Sequence, residues 1–255
     1  MNTYRTSEIA QHAGIHPNTV RLYEKLGLIP KAHRRANGYR VFTDLHMDQI
    51  ICARTALKVE VLQNGLRKRA IEIIKTSASG DITKAIWFTQ HYALQIRGEQ
   101  KNAEDAIAIT EKLLSDGGSK AAIDTWALTR KQTADYLQVS VDTLRNWEMN
   151  GLLSIKRRKN GYRIYSHEDI RRLKIIRSLR CANYSLSAIL RMLNALSGNP
   201  EANIQQVIDT PGEHDDIITV CDKLITSLQH AGRHAEILLD LLRKMKKKYG
   251  SNPPL

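Results

Sequence analysis

A mainly α-helical fold, assembled twice from one pattern and extended by two long helices, is what this sequence predicts. Three observations predict it. First, Thr19-Val20-Arg21-Leu22-Tyr23-Glu24-Lys25-Leu26-Gly27-Leu28-Ile29, followed by Asn37-Gly38-Tyr39-Arg40-Val41-Phe42, returns later in the chain. Its second copy is Thr143-Leu144-Arg145-Asn146-Trp147-Glu148-Met149-Asn150-Gly151-Leu152-Leu153, followed by Asn160-Gly161-Tyr162-Arg163-Ile164-Tyr165. The two threonines and the two arginines align at one offset, the mark of a duplication. Second, two long stretches carry apolar residues at alternating steps of three and four, the spacing of a coiled-coil seam. Third, hydrophobic residues make up 42% of the chain but aromatics only 5%, which suits several small helical cores better than one large one.

At 255 residues the chain has room for roughly two ordinary domains. A formal charge of +13 and a pI near 9.7 point to an anionic partner, nucleic acid ahead of membrane. Cys52, Cys181 and Cys221 lie far apart without a CxxC pair, so a disulfide framework is not expected. The first residues run straight into a helix without an apolar signal region, and no apolar run approaches the ~18 residues that span a bilayer. A cytoplasmic protein without a membrane partner is therefore expected. No P-loop, G-x-S-x-G or HExxH pattern occurs. The chain is not expected to be an enzyme, and no cofactor is implied.

In the first half, Thr6 is placed to cap a short helix to about Ala13, buried through Ile9 and Ala13, and Gly14 ends it. His16-Pro17 opens a second helix with proline in its first turn. Val20, Leu22, Tyr23 and Leu26 supply its apolar positions. Two short helices around a glycine turn form a helix-turn-helix, whose second helix can enter a major groove with Asn18, Thr19 and Arg21 outward. The alternation after Gly38 predicts a small β-hairpin wing, on which Lys31, Arg34, Arg35 and Arg40 suit phosphate contact.

These residues resemble the MerR family of bacterial transcription regulators over about residues 4–66. The pattern is the T-[VIL]-R-x-Y-E-K-x-G-L-I helix combined with the R-x-x-x-G-Y-R-x-[YF] wing. The resemblance implies that Arg21 and Tyr23 hold the DNA backbone from the recognition helix, and Arg34, Tyr39 and Arg40 from the wing. For Tyr23 and Tyr39 the alternative is a place as core aromatics.

The pattern continues with helices backing the wing, through Leu45, Met47, Ile50, Ile51, Leu57, Val61, Leu62 and Leu66. Asp81 caps the first long helix. Its seam runs Ile86, Thr89, Ala93, Ile96, Gln100, Ala103, Ile107, Thr110 and Leu114. In the second half, Thr129 and Gln132 form a capping box, and Ser140 caps the next helix. Asp142, Thr143 and Arg145 take the places of Asn18, Thr19 and Arg21. Trp147 replaces the tyrosine, either as a backbone contact or as packing. The basic wing holds Lys156, Arg157, Arg158, Lys159, Tyr162 and Arg163. This copy also resembles excisionase-type domains. Ser166 caps a helix with Ile170, Leu173, Ile176 and Leu179 on one face. Thr210-Pro211-Gly212-Glu213 opens the last long helix, with Ile217, Cys221, Leu224, Leu228, Ala231, Ala235, Leu238, Leu242 and Met245 on its seam.

The expected organisation is a winged helix-turn-helix domain at 1–80, a coiled-coil helix at 81–116 and a linker at 117–125. A second winged domain follows at 126–209 and a second coiled-coil helix at 210–250. MerR-like proteins carry one such set per chain and dimerise through an antiparallel coiled coil. Both sets in one chain predict a single-chain pseudo-dimer, on an imperfect palindrome with half-sites about one helical turn apart. Pairing of each seam with another chain is the alternative. The resemblance further implies regulation by promoter distortion, with RNA polymerase as partner, and allows a small-molecule effector. Trp87, Phe88, Tyr92 and Trp126 are either an effector pocket or core. Cys221 with His214, Asp215 and Asp216 is either a metal site or packing, and packing is preferred. The rival function is an excisionase-like or architectural DNA-bending protein.

Overall fold

A computed structural model describes residues 2–58, 65–115, 127–155, 161, 163–199, 201–210 and 223–250. These residues are mainly helical, with small antiparallel sheets. The chain divides into two compact units, Met1–Gly98 with Ser227–Leu255, and Glu99–Thr226. The second long helix thus belongs mostly with the first DNA-binding pattern, and the far half of the first long helix with the second.

The first unit opens with β1 (Thr3–Tyr4), α1 (Thr6–Ala13) and α2 (Pro17–Lys25). Arg5, not Thr6, holds the cap position of α1, and the Glu8 carboxylate accepts the Arg5 N–H at 2.7 Å. Gly14 ends α1 at φ 62°, where a Cβ would be strained. Pro17 stands at the start of α2, and His16 Nδ1 accepts the Asn18 N–H at 3.1 Å. The core gathers Ile9, Ala10, Val20, Ile29, Phe42 and Ile50, with Tyr23 partly buried against it. Leu22 and Leu26 were expected inside, but both are exposed. Val20 and Tyr23 fix the buried side of α2, and Leu22 lies ~200° around the helix from Val20.

The wing is β2 (His33–Arg34) against β3 (Arg40–Thr43), with His33 opposite Val41. Unforeseen, β1 joins the other edge of β3, pairing Tyr4 with Phe42. Helices α3 (Asp44–Leu57) and α4 (Leu66–Ala78) back the sheet. The predicted positions Val61 and Leu62 lie outside the described residues. Gln49 is fully buried, and its amide donates to Leu28 O at 3.2 Å and Ile74 O at 3.0 Å while accepting from Ser77. That bond ties the exit of α2 to α3 and α4. A satisfied buried amide fixes geometry, and an unsatisfied one is expensive.

The long helix α5 (Ile82–Ser115) starts where Asp81 accepts the Lys84 N–H at 2.9 Å. Its buried positions are Ile82, Ala85, Thr89, Tyr92, Ile96, Ala103, Ala106, Ile107 and Thr110. The predicted seam shares Thr89, Ile96, Ala103, Ile107 and Thr110 with it, but Ala85 and Tyr92 take the inward positions given to Ile86 and Ala93. Thr89 and Thr110 satisfy their hydroxyls on Ala85 O and Ala106 O, which lets polar residues occupy the seam.

In the second unit, β4 (Ala127–Thr129), α6 (Arg130–Leu137), α7 (Val141–Met149) and β5 (Ile164–Ser166) repeat the plan. They are followed by α8 (His167–Cys181), α9 (Leu186–Gly198) and a short α10 (Ile204–Asp209). The predicted caps Thr129, Ser140 and Ser166 each accept the backbone N–H three residues on. Ile170, Leu173, Ile176 and Leu179 are all buried. Arg172 Nε donates to Leu152 O at 2.8 Å, so it grips the exit of α7 as Gln49 grips that of α2.

Helix α11 (Leu224–Tyr249) buries Leu224, Leu228, Ala231, Ala235, Leu238, Leu242 and Met245, the predicted seam residues that are described. Ile217 and Cys221, like the Pro211-Gly212-Glu213 start, lie outside the described residues. Asp209 takes the first-turn N–H groups of Ile225 and Thr226 at 3.0 and 3.2 Å. At its far end, within the first unit, Met245 Sδ accepts from Cys52 Sγ at 3.5 Å. Lys248 and Tyr249 both donate to Asp48, at 2.9 and 2.7 Å. No described helix is long and apolar enough to cross a membrane.

Candidate nucleic-acid interface

In the first unit, α2 presents Asn18 and Arg21 to solvent with Thr19 half-buried beside them. Arg21 Nη1 donates to Asn18 Oδ1 at 2.8 Å, which orders the guanidinium outward on the helix. The wing turn closes by Gly38 N–H to Arg35 O at 2.8 Å and Arg35 N–H to Tyr39 O at 2.9 Å. Gly38 supplies the φ of 81° the turn needs. Arg34 and Arg35 are exposed, and Tyr39 is 71% exposed at the tip, so it is no core aromatic. A cleft of about 460 Å³ between β1, the start of α1 and the wing is lined by Arg5, Arg35, Tyr39 and Arg40 among others. Such a set of donors matches a backbone phosphate.

Arg40 has a further assignment. Its Nε donates to Glu24 Oε2 at 2.6 Å, and the other Glu24 oxygen accepts the Ala32 N–H at 3.2 Å. Glu24 sits on the recognition helix and Arg40 on the wing, so the pair locks one to the other. The second unit repeats the lock more heavily. Glu148, 10% exposed at its side chain, receives Arg163 Nε at 2.8 Å and Arg130 Nη2 at 2.8 and 3.1 Å. The Tyr165 hydroxyl donates to it as well, and burial with that bond raises the Tyr165 pKa. Aligned with the first copy, Arg130 stands where Thr6 is and Tyr165 where Phe42 is. Two substitutions thus turn an ion pair into a network.

On α7, Asp142 and Arg145 are exposed, Thr143 is half-buried, and Met149 is 76% exposed. Trp147 is 4% exposed and belongs to the core, as the packing alternative expects. Arg130, Arg145 and Arg163 converge on a cleft of about 370 Å³. Arg157, Arg158 and Tyr162, with Lys156 and Lys159, lie outside the described residues.

Sequence reasoning missed Glu24, Glu148, Arg130 and Arg5. The first two carried a signal, since glutamate recurs at one position of both copies and each copy has an arginine in its wing. Of the effector candidates, Tyr92 is buried in the seam, whereas Trp87 is exposed and rests on His91, ring centroids 3.9 Å apart. Trp126 lies outside the described residues, as do Cys221, His214, Asp215 and Asp216. Among the described residues no cluster of His, Cys, Asp and Glu could hold a metal.

Comparison with known proteins agrees with this geometry. Residues 5–42 match the MerR family regulatory protein family, and residues 128–196 match the MerR HTH family regulatory protein family. A probable heavy metal-dependent transcriptional regulator of Haemophilus influenzae is 31% identical over 104 residues, 39% of this chain and 80% of that protein. The chain belongs to the MerR family. Other MerR-type relatives match a single segment. The mercuric resistance operon regulatory protein of Bacillus cereus is 38% identical over 47 residues, 18% of this chain and 36% of that protein. The regulator CueR of Salmonella typhi is 34% identical over 53 residues, 21% and 38% of the two chains. The chain thus spans little more than a third of the length of these two relatives. No solved structure matches the chain significantly.

Proposed function

We propose that this MerR-family chain is a sequence-specific, DNA-binding transcription regulator that carries both of its reading heads in one polypeptide. The observation that carries the proposal is the double lock. In the first unit a glutamate on the recognition helix is joined to Arg40 on the wing, and in the second the equivalent glutamate is joined to Arg163, next to β5. Exposed Arg21, Arg34 and Arg35 in one unit, and Arg145 in the other, supply phosphate contacts. Tyr39 extends the first wing along the backbone, and Arg40 and Arg163 act chiefly by holding the wings in place. Arg157, Arg158 and Tyr162 are proposed contacts by their place in the duplicated sequence.

The exchange of long helices supports a single-chain pseudo-dimer. Helix α11 packs in the unit of the first winged domain, through Cys52 and Asp48. The far half of α5 packs in the unit of the second, beside Lys174 and Arg177 of α8. Each module is then completed by the helix that follows the other. Such a protein would bind two half-sites of one promoter element, distort the spacer between them and act on RNA polymerase there.

Mapping the chain's binding sites across its host genome at base-pair resolution tests this. Single imperfect palindromes between promoter elements are expected. Sites at recombination junctions, or without regard to promoters, would favour an architectural DNA-bending role instead.

A further inference from the structure

Resting on the DNA-reading function proposed above, we infer that the two recognition helices read different bases, adenine through Asn18 and cytosine through Asp142, so that the operator has a fixed orientation.

The geometry begins with the buried side of each helix. Val20 and Leu144 are the fully buried residues at equivalent places on α2 and α7. At 100° per residue, positions two before and two after them lie ~160–200° away, on the outermost line of the helix. On α2 these are Asn18 and Leu22, and on α7 they are Asp142 and Asn146. Asn18, Leu22, Asp142 and Asn146 are all exposed. The most outward position near each helix start is the one that reaches base edges in a major groove.

The chemistry at that position differs between the copies. An Asn amide can both donate and accept, which matches the N7 acceptor and N6 amino donor of adenine. An Asp carboxylate can only accept, which matches the N4 amino group of cytosine. Asn18 Oδ1 already accepts from Arg21, leaving its second lone pair and its amide N–H groups for a base. Asp142 has no bond to Arg145 at the corresponding spacing among the described residues, so its carboxylate is open to a donor. Leu22 supports the same division. Leu22, 49% exposed on that outward line, suits the methyl group of thymine. Asn146, its counterpart, suits a second adenine.

A helix-dipole role is the competing account of Asp142, since an acid in the first turn of α7 favours the helix by itself. That account predicts no base preference. The two are separated by selecting binding sites for the full chain from a pool of randomised duplexes, in parallel with Asn18→Asp and Asp142→Asn. Circular dichroism confirms that the variants, changed only at exposed positions, keep their helix content.

The wild-type chain is expected to enrich sites whose halves differ at the position read by Asn18 and Asp142, A·T in one and C·G in the other. Asn18→Asp should convert the A·T half to C·G, and Asp142→Asn should do the reverse, each shifting the preference by roughly 5- to 150-fold. Identical halves in the wild-type sites, or swaps that leave both preferences unchanged, would overturn the assignment while leaving DNA binding intact. Failure of the wild-type chain to enrich any sequence would bring down the DNA-reading function, and this inference with it.

Discussion

Replacing Glu148 with glutamine tests the idea that the wing is held in place from the recognition helix. The carboxylate accepts from two guanidinium groups and a tyrosine hydroxyl, and its side chain is 10% exposed. Breaking a fully buried ion pair costs about 3–5 kcal/mol, because the remaining charge is left unpaired. Here Arg130 and Arg163 keep 26% and 30% exposure, so water recovers part of that loss. A cost of about 2–3 kcal/mol follows. Glu24→Gln removes the charge facing Arg40 and leaves one acceptor oxygen for two donors, Arg40 Nε and the Ala32 N–H, for about 1–2 kcal/mol. Urea unfolding followed by circular dichroism is the suitable assay, since guanidinium salt would screen the charges under test. DNA affinity gives a second readout whose sign decides. Coulomb repulsion alone predicts that removing a carboxylate beside phosphates tightens binding. Positioning of the wing predicts that both variants bind more weakly. Equal, negligible destabilisation with tighter binding would refute the lock.

Three further outcomes are expected. Met245→Ala should destabilise the chain by about 2–5 kcal/mol, because the side chain is buried against Cys52 and the far end of α11 would lose its anchor; chemical denaturation measures it. Burial lowers the His46 pKa, and His46 Nδ1 accepts the Thr43 N–H at 3.1 Å, so folding favours the neutral ring. That stability is present above the ordinary histidine value near ~6.5 and is lost as pH falls from there through the lower folded-state value, so the melting temperature should drop below that point and His46→Gln should flatten the decline. Arg145→Ala should weaken binding to all duplexes alike and reduce the salt slope by about one contact, roughly 0.9, as read from affinities over a salt series.

Much of this was legible in the sequence because the signals were local. Gly14, Pro17, Thr129, Ser140 and Ser166 act within one turn of where they stand, and the α11 seam repeats strictly enough to fix its buried face. The seam of α5 was less legible. Thr89, Ile96 and Ala103 fit two alternations of three and four, and only the space for the Tyr92 ring in the packed structure chooses between them. Leu22 and Leu26 misled for the opposite reason, since hydrophobicity marks burial only when another surface is there to cover it. The edge strand Thr3–Tyr4 was too short to carry a pattern of its own. Trp147 was open because an indole suits both a phosphate and a core, and its burial is a property of the fold around it. The Glu24 and Glu148 locks join residues distant in sequence. They were visible only as a repeated glutamate whose partner the spacing did not name.

One chain is proposed to carry two different reading heads. The mass of the protein–DNA complex, measured by light scattering across a dilution series with a duplex bearing both half-sites, tests it most directly. One chain per duplex is predicted, with free protein monomeric at micromolar concentration. Two chains per duplex, or a free dimer that shows no monomer on dilution, would contradict it.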